Sequence, residues 1–369
     1  MNFLKFLPPV PFGPGRKNSR SFPNGIAKVR TFFELANFLR VFFELFLQKI
    51  IPIFANPLKM TQMKNIFFAG GCFWGTQHFF SQMDGVKEAV CGYANGNTAN
   101  PKYEEVYTDT TGFAETVRVT YNPERIGLEE LTELFFCIID PLSLNRQGHD
   151  EGTRYRTGIY YTDPAEKACI QSVYAKEEAK AGAPLVVELE PLRNFYEAEE
   201  RHQGYLDKNP EGYCHLSLKT FRYLRLFQDI RLFLGEEENQ IARMANTAAL
   251  IQERMHFFWT GFYLADEKQL VLGPFQGPAA CMRIGFGKGV CGTAWKEDRT
   301  LVVPDVHQFP GHIACSSLSQ SEIVVPLHDA AGQVSAVLDI DSDQLATFDE
   351  TDALWLEKIA AIVSTIKNN

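Results

Sequence analysis

The chain has 369 residues, a formal net charge of −9, 45% apolar residues and 13% aromatic residues. This length accommodates two domains, and the apolar content is enough to bury sizeable cores, which argues against a disordered or fibrous class. The charge is uneven, because residues 1–60 carry nine Lys and Arg against two Glu, a net of +7, which leaves −16 for the remainder. Nothing indicates a basic face on a folded domain, so nucleic acid is not an expected partner.

Residues 1–60 form a basic, Phe-rich leader. A secretory signal has its apolar core directly after the first charges and ends at small residues, and this segment has neither feature. Charged side chains interrupt the Phe-rich part, so a membrane-spanning helix is not expected. Two interpretations stay open: a helix for organelle targeting or the membrane surface, and an upstream extension before a start at Met60 or Met63, which is favoured.

Eight cysteines, in a chain without a secretory signal, argue against a structural disulfide framework. No pair has Cys-x-x-Cys spacing and no histidine cluster accompanies them, so neither a structural zinc site nor any other bound metal or cofactor is expected. Cys137 and Cys169 fall on helical patterns among apolar neighbours and are predicted to be core residues. The other six are candidates for chemistry.

The first of these is Cys72, in the segment 70–75, Gly-Gly-Cys-Phe-Trp-Gly. A short apolar run precedes it and an apolar-aromatic segment follows, so Cys72 is predicted to open a helix whose dipole favours a thiolate. The flanking glycines permit close approach of a ligand or a second backbone, and Phe73 and Trp74 would form an apolar wall. A cysteine in an apolar stretch is more often an inert hydrophobe, but this context favours a reactive site.

Glu115 is a candidate general acid. Residues 114–121 alternate, which predicts a strand whose apolar face carries Glu115 together with Val117, Val119 and Tyr121. A carboxyl group on that face should have a raised pKa and stay protonated near neutral pH. The alternative is a Glu at a strand end that turns out to solvent, and the pattern does not decide between them.

Helices and strands mix through the rest of this region, which predicts an α+β sandwich. A polar loop at 143–153 either connects two elements or lines a site. Cys214 lies in a Pro- and Gly-flanked loop, where a second thiol would be accessible and mobile enough to reach a first one. The predicted elements are a short strand at 86–90, a helix at 128–138, a strand at 155–162, a helix at 164–180 capped by Asp163 and Glu166, and a strand at 185–190.

Seven motifs, in order over about 155 residues, resemble those of the type A peptide methionine-S-sulfoxide reductases. They are Gly-Cys-Phe-Trp-Gly (71–75), Gly-Tyr-Ala-Asn-Gly (92–96), Pro-Lys-Tyr (101–103), Thr-Gly-Phe-Ala-Glu (111–115), Leu-Asn-Arg-Gln-Gly (144–148), Gly-Thr-Arg-Tyr-Arg (152–156) and Gly-Tyr-Cys (212–214).

The resemblance implies Cys72 as the nucleophile, Glu115 as the acid that protonates the sulfoxide oxygen, and Cys214 as the resolving cysteine. A sulfoxide oxygen leaves poorly until protonated, so a thiolate that attacks sulfur needs a neutral acid nearby. Cys72 would become a sulfenic acid, which Cys214 condenses to a disulfide. Thioredoxin or another dithiol would then reduce that disulfide.

The resemblance also implies supporting roles around this centre. Tyr103, Asp150 and Tyr155 would hydrogen-bond around the oxygen and the acid, while Phe73 and Trp74 would hold the substrate methyl group. The chain departs from the family pattern at Phe113 and His149, where His and Asn are usual, so substrate preference or rate could differ.

A change of composition at 235–238 marks a domain boundary. The predicted arrangement is a first domain at 64–218, a linker at 219–235 and a second domain at 236–369. A helix, an antiparallel sheet and a closing helix are the outline of a GAF domain, which by topology alone suggests a small-molecule sensor. The predicted elements are a helix at 237–255, strands at 257–265, 269–275, 321–327 and 333–340, and a last helix after a capping box at 347–350.

The cysteines of the second domain indicate more than a sensor. Cys281, Cys291 and Cys315, with their flanking residues, resemble those of the free methionine-R-sulfoxide reductases, which are GAF-fold enzymes. The resemblance implies Cys315 as nucleophile, Cys281 as its main resolving partner and Cys291 as an auxiliary thiol. Ser316 and the pair 278–279 differ from the usual family residues.

Three acids are predicted to project from one sheet of this domain: Glu322 on one strand and Asp339 and Asp341 on the next. Around a cavity they could pair with the ammonium group of a free amino acid and assist proton transfer to the sulfoxide. Tyr263 is a further candidate for the cavity lining. The alternative is a solvated strand face.

The favoured hypothesis is a bifunctional thiol enzyme that reduces the S epimer of methionine sulfoxide, free or in oxidised proteins, in one domain and the free R epimer in the other. Complementary stereochemistry gives the fusion a purpose. The alternative is an S-sulfoxide reductase regulated by a GAF domain that senses a ligand or redox state. Thioredoxin is the expected partner and the cytoplasm the expected location, with organelle targeting left open.

Overall fold

Two six-stranded sheets organise the chain, one in each domain. The computed structural model describes residues 62–313 and 315–364. The leader at 1–60 lies outside the described residues, so both interpretations of it stay predictions. The α+β class, and the antiparallel sheet predicted for the second domain, are confirmed.

The elements of the first domain follow one another in close succession. They are β1 (Lys64–Gly70), α1 (Phe73–Ser81), β2 (Val86–Ala94), α2 (Tyr103–Val106), β3 (Ala114–Tyr121), α3 (Leu128–Phe136), β4 (Arg146–Gln147), β5 (Asp150–Glu151), β6 (Thr157–Tyr161), α4 (Pro164–Ala181), β7 (Glu188–Pro191), β8 (Phe195–Glu197) and α5 (Tyr205–Lys208).

The first sheet has the order β7-β6-β1-β3-β2-β8, antiparallel except between β6 and β7. Alternate side chains of a strand point to opposite faces, so Ile66 and Phe68 of central strand β1 enter the large core while Phe67 and Ala69 join a smaller cluster. This buried strand fixes the position of residue 70, from which the chain turns into α1.

A helix, α6 (Leu218–Leu234), leads into the second domain. The sheet of that domain is antiparallel throughout, in the order β11-β10-β9-β14-β13-β12. The elements are α7 (Gln240–Met255), β9 (Trp259–Ala265), β10 (Gln269–Gln276), β11 (Arg283–Gly285), α8 (Gly289–Glu297), β12 (Leu301–Val303), β13 (Ser321–His328), β14 (Val334–Ser342) and α9 (Glu350–Ser364).

The two faces of the second sheet have different partners. On one face Leu338 shares a core with Ile251 of α7 and Ile359 of α9. On the other face Tyr263 and Val337 pack in a separate cluster. This second face carries the candidate site.

The cap of the last helix differs from the predicted box at 347–350. The Asp349 carboxylate accepts the backbone N–H of Thr351 and of Asp352, at 2.8 and 3.3 Å, while the Asp352 carboxylate accepts the N–H of Asp349 at 2.7 Å. Because Asp can replace both members of a capping box, the true start lies two residues later. The box predicted at Asp163 is confirmed.

Three other sequence predictions need correction. Strand β2 runs on to Ala94, past the predicted end at Val90, because its last residues pair with both β3 and β8. Cys137 and Cys169 are half buried rather than core residues, since the helical pattern does not reveal how far each helix face is covered.

The predicted linker at 219–235 lies almost wholly in helix α6. Its inward side chains, such as Tyr223, Leu226 and Ile230, are fully buried. The chain therefore passes between the domains as a packed helix. The exact boundary stays a prediction.

The second domain packs against α1 and α6 through Trp355 of α9, which is fully buried. Its ring lies 6.3 Å from that of Phe79 in α1 and 6.0 Å from that of Phe227 in α6. Buried Asp352 accepts hydrogen bonds from the Tyr223 hydroxyl and the Lys219 ammonium group, both at 2.7 Å. The C-terminal part of α1, the helix that begins next to Cys72, therefore packs against the second domain.

Candidate active sites

Cys72 lies at the N-cap of α1, as predicted, and is a free thiol with 5% of its surface exposed. Gly71 before it has a φ of +79°, and an added Cβ would lie 2.6 Å from the Cβ of Gln147. Only glycine satisfies both the left-handed backbone and this close contact. The tight turn sets the sulfur at the junction of β1 and α1.

The surroundings of Cys72 favour the thiol over the thiolate. Burial, followed by the charge of Glu115, raises the pKa of Cys72 well above its ordinary value, and only the backbone N–H of Trp74 acts against them. Desolvation therefore outweighs the helix terminus, which the sequence predicted to favour a thiolate. The proton must leave before the sulfur can attack.

Glu115 is buried on β3, with 2% exposure, so the solvent-facing alternative is wrong. One carboxylate oxygen accepts the backbone N–H of Phe73 at 3.1 Å, which places the group at the start of α1. Burial raises the pKa of Glu115 to about 8, although this N–H and Arg154 pull it down. At neutral pH it is mainly a neutral acid beside Cys72.

Three more predicted residues gather around this pair. Burial, then Glu115, raises the pKa of Tyr103 to about 12, and the same causes raise the pKa of Tyr155. Both hydroxyls therefore stay protonated and able to donate. Asp150 of β5 brings a carboxylate oxygen within 4.8 Å of the Cys72 sulfur.

The predicted aromatic wall has partners that the sequence did not reveal. Phe73 is buried, while half-buried Trp74 stacks on Tyr205 with ring centroids 3.8 Å apart. The Trp74 indole N–H donates to Nδ1 of His202 at 3.2 Å, and His202 lies 4.6 Å from the ring of Tyr103. The only signal for His202 was its place in the polar and aromatic run 195–203.

The loop with Cys214 lies over the first turn of α1. A Cβ added to Gly75 would lie 3.1 Å from the Cys214 sulfur and 3.0 Å from Cε1 of His215. Glycine at 75 therefore lets the second thiol approach the helix closely. Sequence reasoning assigned no role to His215, for which the only signal was its position next to Cys214.

In the second domain, Cys281 and Cys315 form a disulfide with their Cα atoms 5.4 Å apart. Cys291, on α8, is a buried free thiol whose sulfur lies 3.7 Å from a carboxylate oxygen of Glu322. All three predicted cysteines line one cavity or border it: Cys291 and Cys315 line it, and Cys281 is bonded to Cys315.

The three acids line the same cavity, so the solvated-face alternative is wrong. Glu322 pairs with Asp341 across β13 and β14, and Asp339 lies two residues away on the same face. Burial, with repulsion among the three, raises the pKa of Glu322 and Asp339, and burial raises that of Asp341 to about 6. Such a cluster retains protons near neutral pH and can donate them.

Tyr263 also lines this cavity, where its hydroxyl donates to the backbone carbonyl of Cys281 at 3.0 Å. Trp259, whose ring lies 6.0 Å from that of Tyr263, was missed by sequence reasoning because it reads as an ordinary strand residue.

Of the departures from family patterns, Ser316 lines the cavity of the second domain, whereas Phe113 of the first domain is buried against Tyr196.

Two sets of side chains place three possible metal ligands within 4.8 Å of one another in the part of the chain that the structure describes. The first set is Cys72, Asp150 and His215, and the second is Cys291, Glu322 and Asp339. Both sets lie within the candidate sites described above.

Comparison with known proteins finds two matched regions of the chain. Residues 64–229 match the family model for peptide methionine sulfoxide reductase, and residues 240–366 match that for the GAF domain. The peptide methionine sulfoxide reductase MsrA of Clostridium acetobutylicum is 54% identical over 154 residues, which is 42% of this chain and 95% of that protein.

Two solved structures resemble the chain over about two fifths of its length. Free methionine-R-sulfoxide reductase from Neisseria meningitidis, in complex with its substrate, is 52% identical, with 40% of this chain and 90% of that chain covered and a TM-score of 0.39. The reduced form of fRMsr of Staphylococcus aureus is 45% identical, with 38% and 92% covered and a TM-score of 0.38.

Within residues 62–313 and 315–364, none of the helices has the length and apolar character needed to cross a membrane.

Proposed function

The chain belongs to the peptide methionine sulfoxide reductase family, and from this we propose that its first domain reduces the S epimer of methionine sulfoxide, free or protein-bound, to methionine. Cys72 is the proposed nucleophile and Glu115 the proposed acid. The position of Glu115, hydrogen-bonded to the residue after Cys72, supports this assignment.

The proposed reaction moves two electrons from the enzyme to the substrate. The Cys72 sulfur, once deprotonated, attacks the sulfoxide sulfur while Glu115 gives its proton to the sulfoxide oxygen. The attack forms an S–S bond. That bond and the S–O bond of the substrate then break as the oxygen passes to Cys72 as a sulfenic acid, and methionine leaves as a thioether. The Cys214 thiol then attacks the sulfenic sulfur, which forms a disulfide and releases water.

The other residues of this centre have proposed supporting roles. Tyr103, Tyr155 and Asp150 hydrogen-bond around the oxygen and the acid, and Phe73 and Trp74 receive the substrate methyl group. The protonated state of both tyrosines, which their raised pKa values favour, supports the first assignment.

For the second domain we propose reduction of free methionine-R-sulfoxide. Cys315 is the proposed nucleophile, Cys281 its resolving partner and Cys291 an auxiliary thiol, and the bond between Cys281 and Cys315 supports the pairing. The buried acids Glu322, Asp339 and Asp341, with Tyr263, form the proposed recognition site. An ionised member pairs with the substrate ammonium group, and a protonated member gives its proton to the sulfoxide.

One observation carries the proposal for both domains: each candidate sulfur site contains a carboxyl group that burial keeps protonated near neutral pH. A ligand sensor needs neither oxidisable thiols nor a neutral acid beside them. The proposed reductant is thioredoxin or another dithiol, and the proposed location is the cytoplasm, where such reductants keep thiols reduced.

The test measures loss of each separate epimer with the purified protein and thioredoxin. We expect Cys72→Ser to abolish S-epimer reduction and Cys315→Ser to abolish reduction of the free R epimer, each without effect on the other. Half-buried Cys169→Ser is the matched control and should leave both activities unchanged. Unchanged R-epimer turnover in Cys315→Ser would leave the second domain as a ligand or redox sensor.

A further inference from the structure

His215 is half buried at the first site, with both ring nitrogens covered, and takes no part in the reaction proposed above. Neither nitrogen meets the usual distance and angle criteria for a hydrogen bond, although the backbone of Gly70 interacts with the ring. Buried polar groups in native proteins are nearly always paired, so an unpaired one needs an explanation. Its position over the first turn of α1, with Nε2 only 3.6 Å from a Cβ built on Gly71, aims the ring at the start of the helix.

The proposed reaction lacks a group that removes the Cys72 proton. The titratable neighbours that act on Cys72 are Glu115, Asp150 and Cys91, and each of them, when ionised, holds the proton on the sulfur. Glu115 must itself be protonated to act as the acid, so it cannot also receive this proton first. A neutral base is therefore missing.

His215 has the geometry to fill this role. One of its ring nitrogens, the Cys72 sulfur and an Asp150 carboxylate oxygen all lie within 4.8 Å of one another. A thiol, an imidazole and a carboxylate arranged in this way form the kind of set that activates a cysteine, with the carboxylate stabilising the imidazolium. A side-chain rotation or one water would bridge this separation, since catalytic hydrogen bonds are often long before substrate binds.

We propose that His215 is the general base that takes the thiol proton of Cys72 before the sulfur attacks the sulfoxide. This inference rests on the proposed function of the first domain. The S–H bond of Cys72 breaks, its electron pair stays on sulfur, and the proton moves to a ring nitrogen of His215, where Asp150 stabilises the positive charge. After attack, the imidazolium returns its proton, through solvent, to the Glu115 carboxylate.

The protonation states agree with this assignment. Burial lowers the pKa of His215, an effect that the Asp150 charge and the Gly70 backbone partly offset, so the ring is neutral and able to accept a proton at neutral pH. The titratable groups of the cluster are Asp150 of β5, Cys72 and Glu115 at the start of α1, and Tyr213 and Cys214 of the loop that holds His215.

The first test follows methionine release in a single turnover of the reduced full-length chain. His215→Gln keeps the side-chain volume but cannot accept a proton, and we expect a rate about 100-fold lower at pH 7, the usual contribution of a general base. Its rate should rise with pH more steeply than that of the unaltered chain. His78→Gln, on the last turn of α1, is the matched control and should change the rate less than threefold.

The second test distinguishes a base from a structural histidine. In His215→Ala, added imidazole should restore the single-turnover rate at least tenfold, whereas His215→Gln has no cavity for it and should not respond. A His215→Gln rate within threefold of the unaltered chain would overturn the proposal. A slow His215→Ala variant without imidazole rescue and with an unshifted pH profile would also overturn it.

A third measurement separates this proposal from the proposed function. Alkylation of Cys72 by iodoacetamide, followed across pH by peptide mass spectrometry, involves no sulfoxide. We expect the inflection of its rate to lie at higher pH in His215→Gln than in the unaltered chain, and an identical profile would contradict the role of His215. If the unaltered chain failed to reduce the S epimer, the proposed function would fall, while the alkylation profile would still decide whether His215 activates Cys72.

Discussion

Glu115 shows how a single buried residue supplies the chemistry of the first site. Its strand places it among Val117, Val119 and Tyr121 in the core, where desolvation favours the uncharged acid. The same desolvation keeps Cys72 protonated. Burial therefore keeps both groups protonated. This suits Glu115 as an acid, but Cys72 must lose its proton before it attacks, so a separate base is needed.

The raised pKa of Glu115 has a consequence for stability. Because this pKa is about 8 in the folded chain against 4.5 for an ordinary Glu, the folded state binds more protons between those values than the unfolded state does. The free energy of unfolding should therefore fall as pH rises from about 4.5 to about 8, by at most about 5 kcal/mol.

Urea or thermal unfolding at pH 5.5 and 8.5 measures this effect. Glu115→Gln should show a clearly smaller loss of stability between the two pH values, because its amide does not ionise. The exposed Glu200→Gln is the control and should behave as the unaltered chain does. An equal loss in Glu115→Gln and the unaltered chain would show that Glu115 is not the group responsible.

Helix α1 brings the parts of the first site together at the scale of an element. Its first N–H donates a hydrogen bond to Glu115, and its first turn packs against the Cys214 loop. Farther along the helix, Phe79 contacts Trp355 of the second domain. Since the helix is rigid, a change at one turn alters the fit of the loop packed against it.

Gly75→Ala tests this close approach. Alanine favours the helix by about 1 kcal/mol, but its Cβ would crowd both Cys214 and His215. We expect disulfide formation between Cys72 and Cys214, and the first turnover, to slow about tenfold or more, because misplacement by a fraction of an ångström disrupts reactive geometry.

Stopped-flow or quenched single-turnover assays with thiol counting measure both steps. Gly127→Ala is the matched control, because its added Cβ meets nothing within 4 Å. A normal rate of disulfide formation in Gly75→Ala would mean that the Cys214 loop moves away from α1 before it reacts.

At the scale of the whole molecule, the described residues of the two domains belong to one compact unit. Trp355 and Asp352 of α9, which pack against α1 and α6, are only 0% and 1% exposed. Separating the domains would expose these packed apolar surfaces to water, which is unfavourable. We therefore expect each domain to contribute to the stability of the other.

Trp355→Ala should therefore lower the stability of the whole chain by about 3–5 kcal/mol, the usual cost of removing a large buried side chain. We expect both reductase activities to be lost over the same lower temperature range. Leu232→Ala on α6, 82% exposed in the unaltered chain, is the control and should have little effect. Two separate transitions, with S-epimer reduction unaffected, would show that the domains unfold independently.

The sequence by itself determined the local features of this protein. Alternation located β3 within its true bounds, and the glycines and aromatic residues around Cys72 marked the start of α1. These predictions held because each depends on residues that are close together in the chain.

Only the tertiary structure decided which distant groups meet. Glu115 reaches the start of α1 across 42 residues, and His215 reaches it from the far end of the first domain. The raised pKa of Cys72 depends on these long-range contacts, since desolvation depends on every group that covers the thiol. For the same reason the segment predicted to be a linker lies in helix α6, whose inward apolar side chains pack in a core shared by both domains.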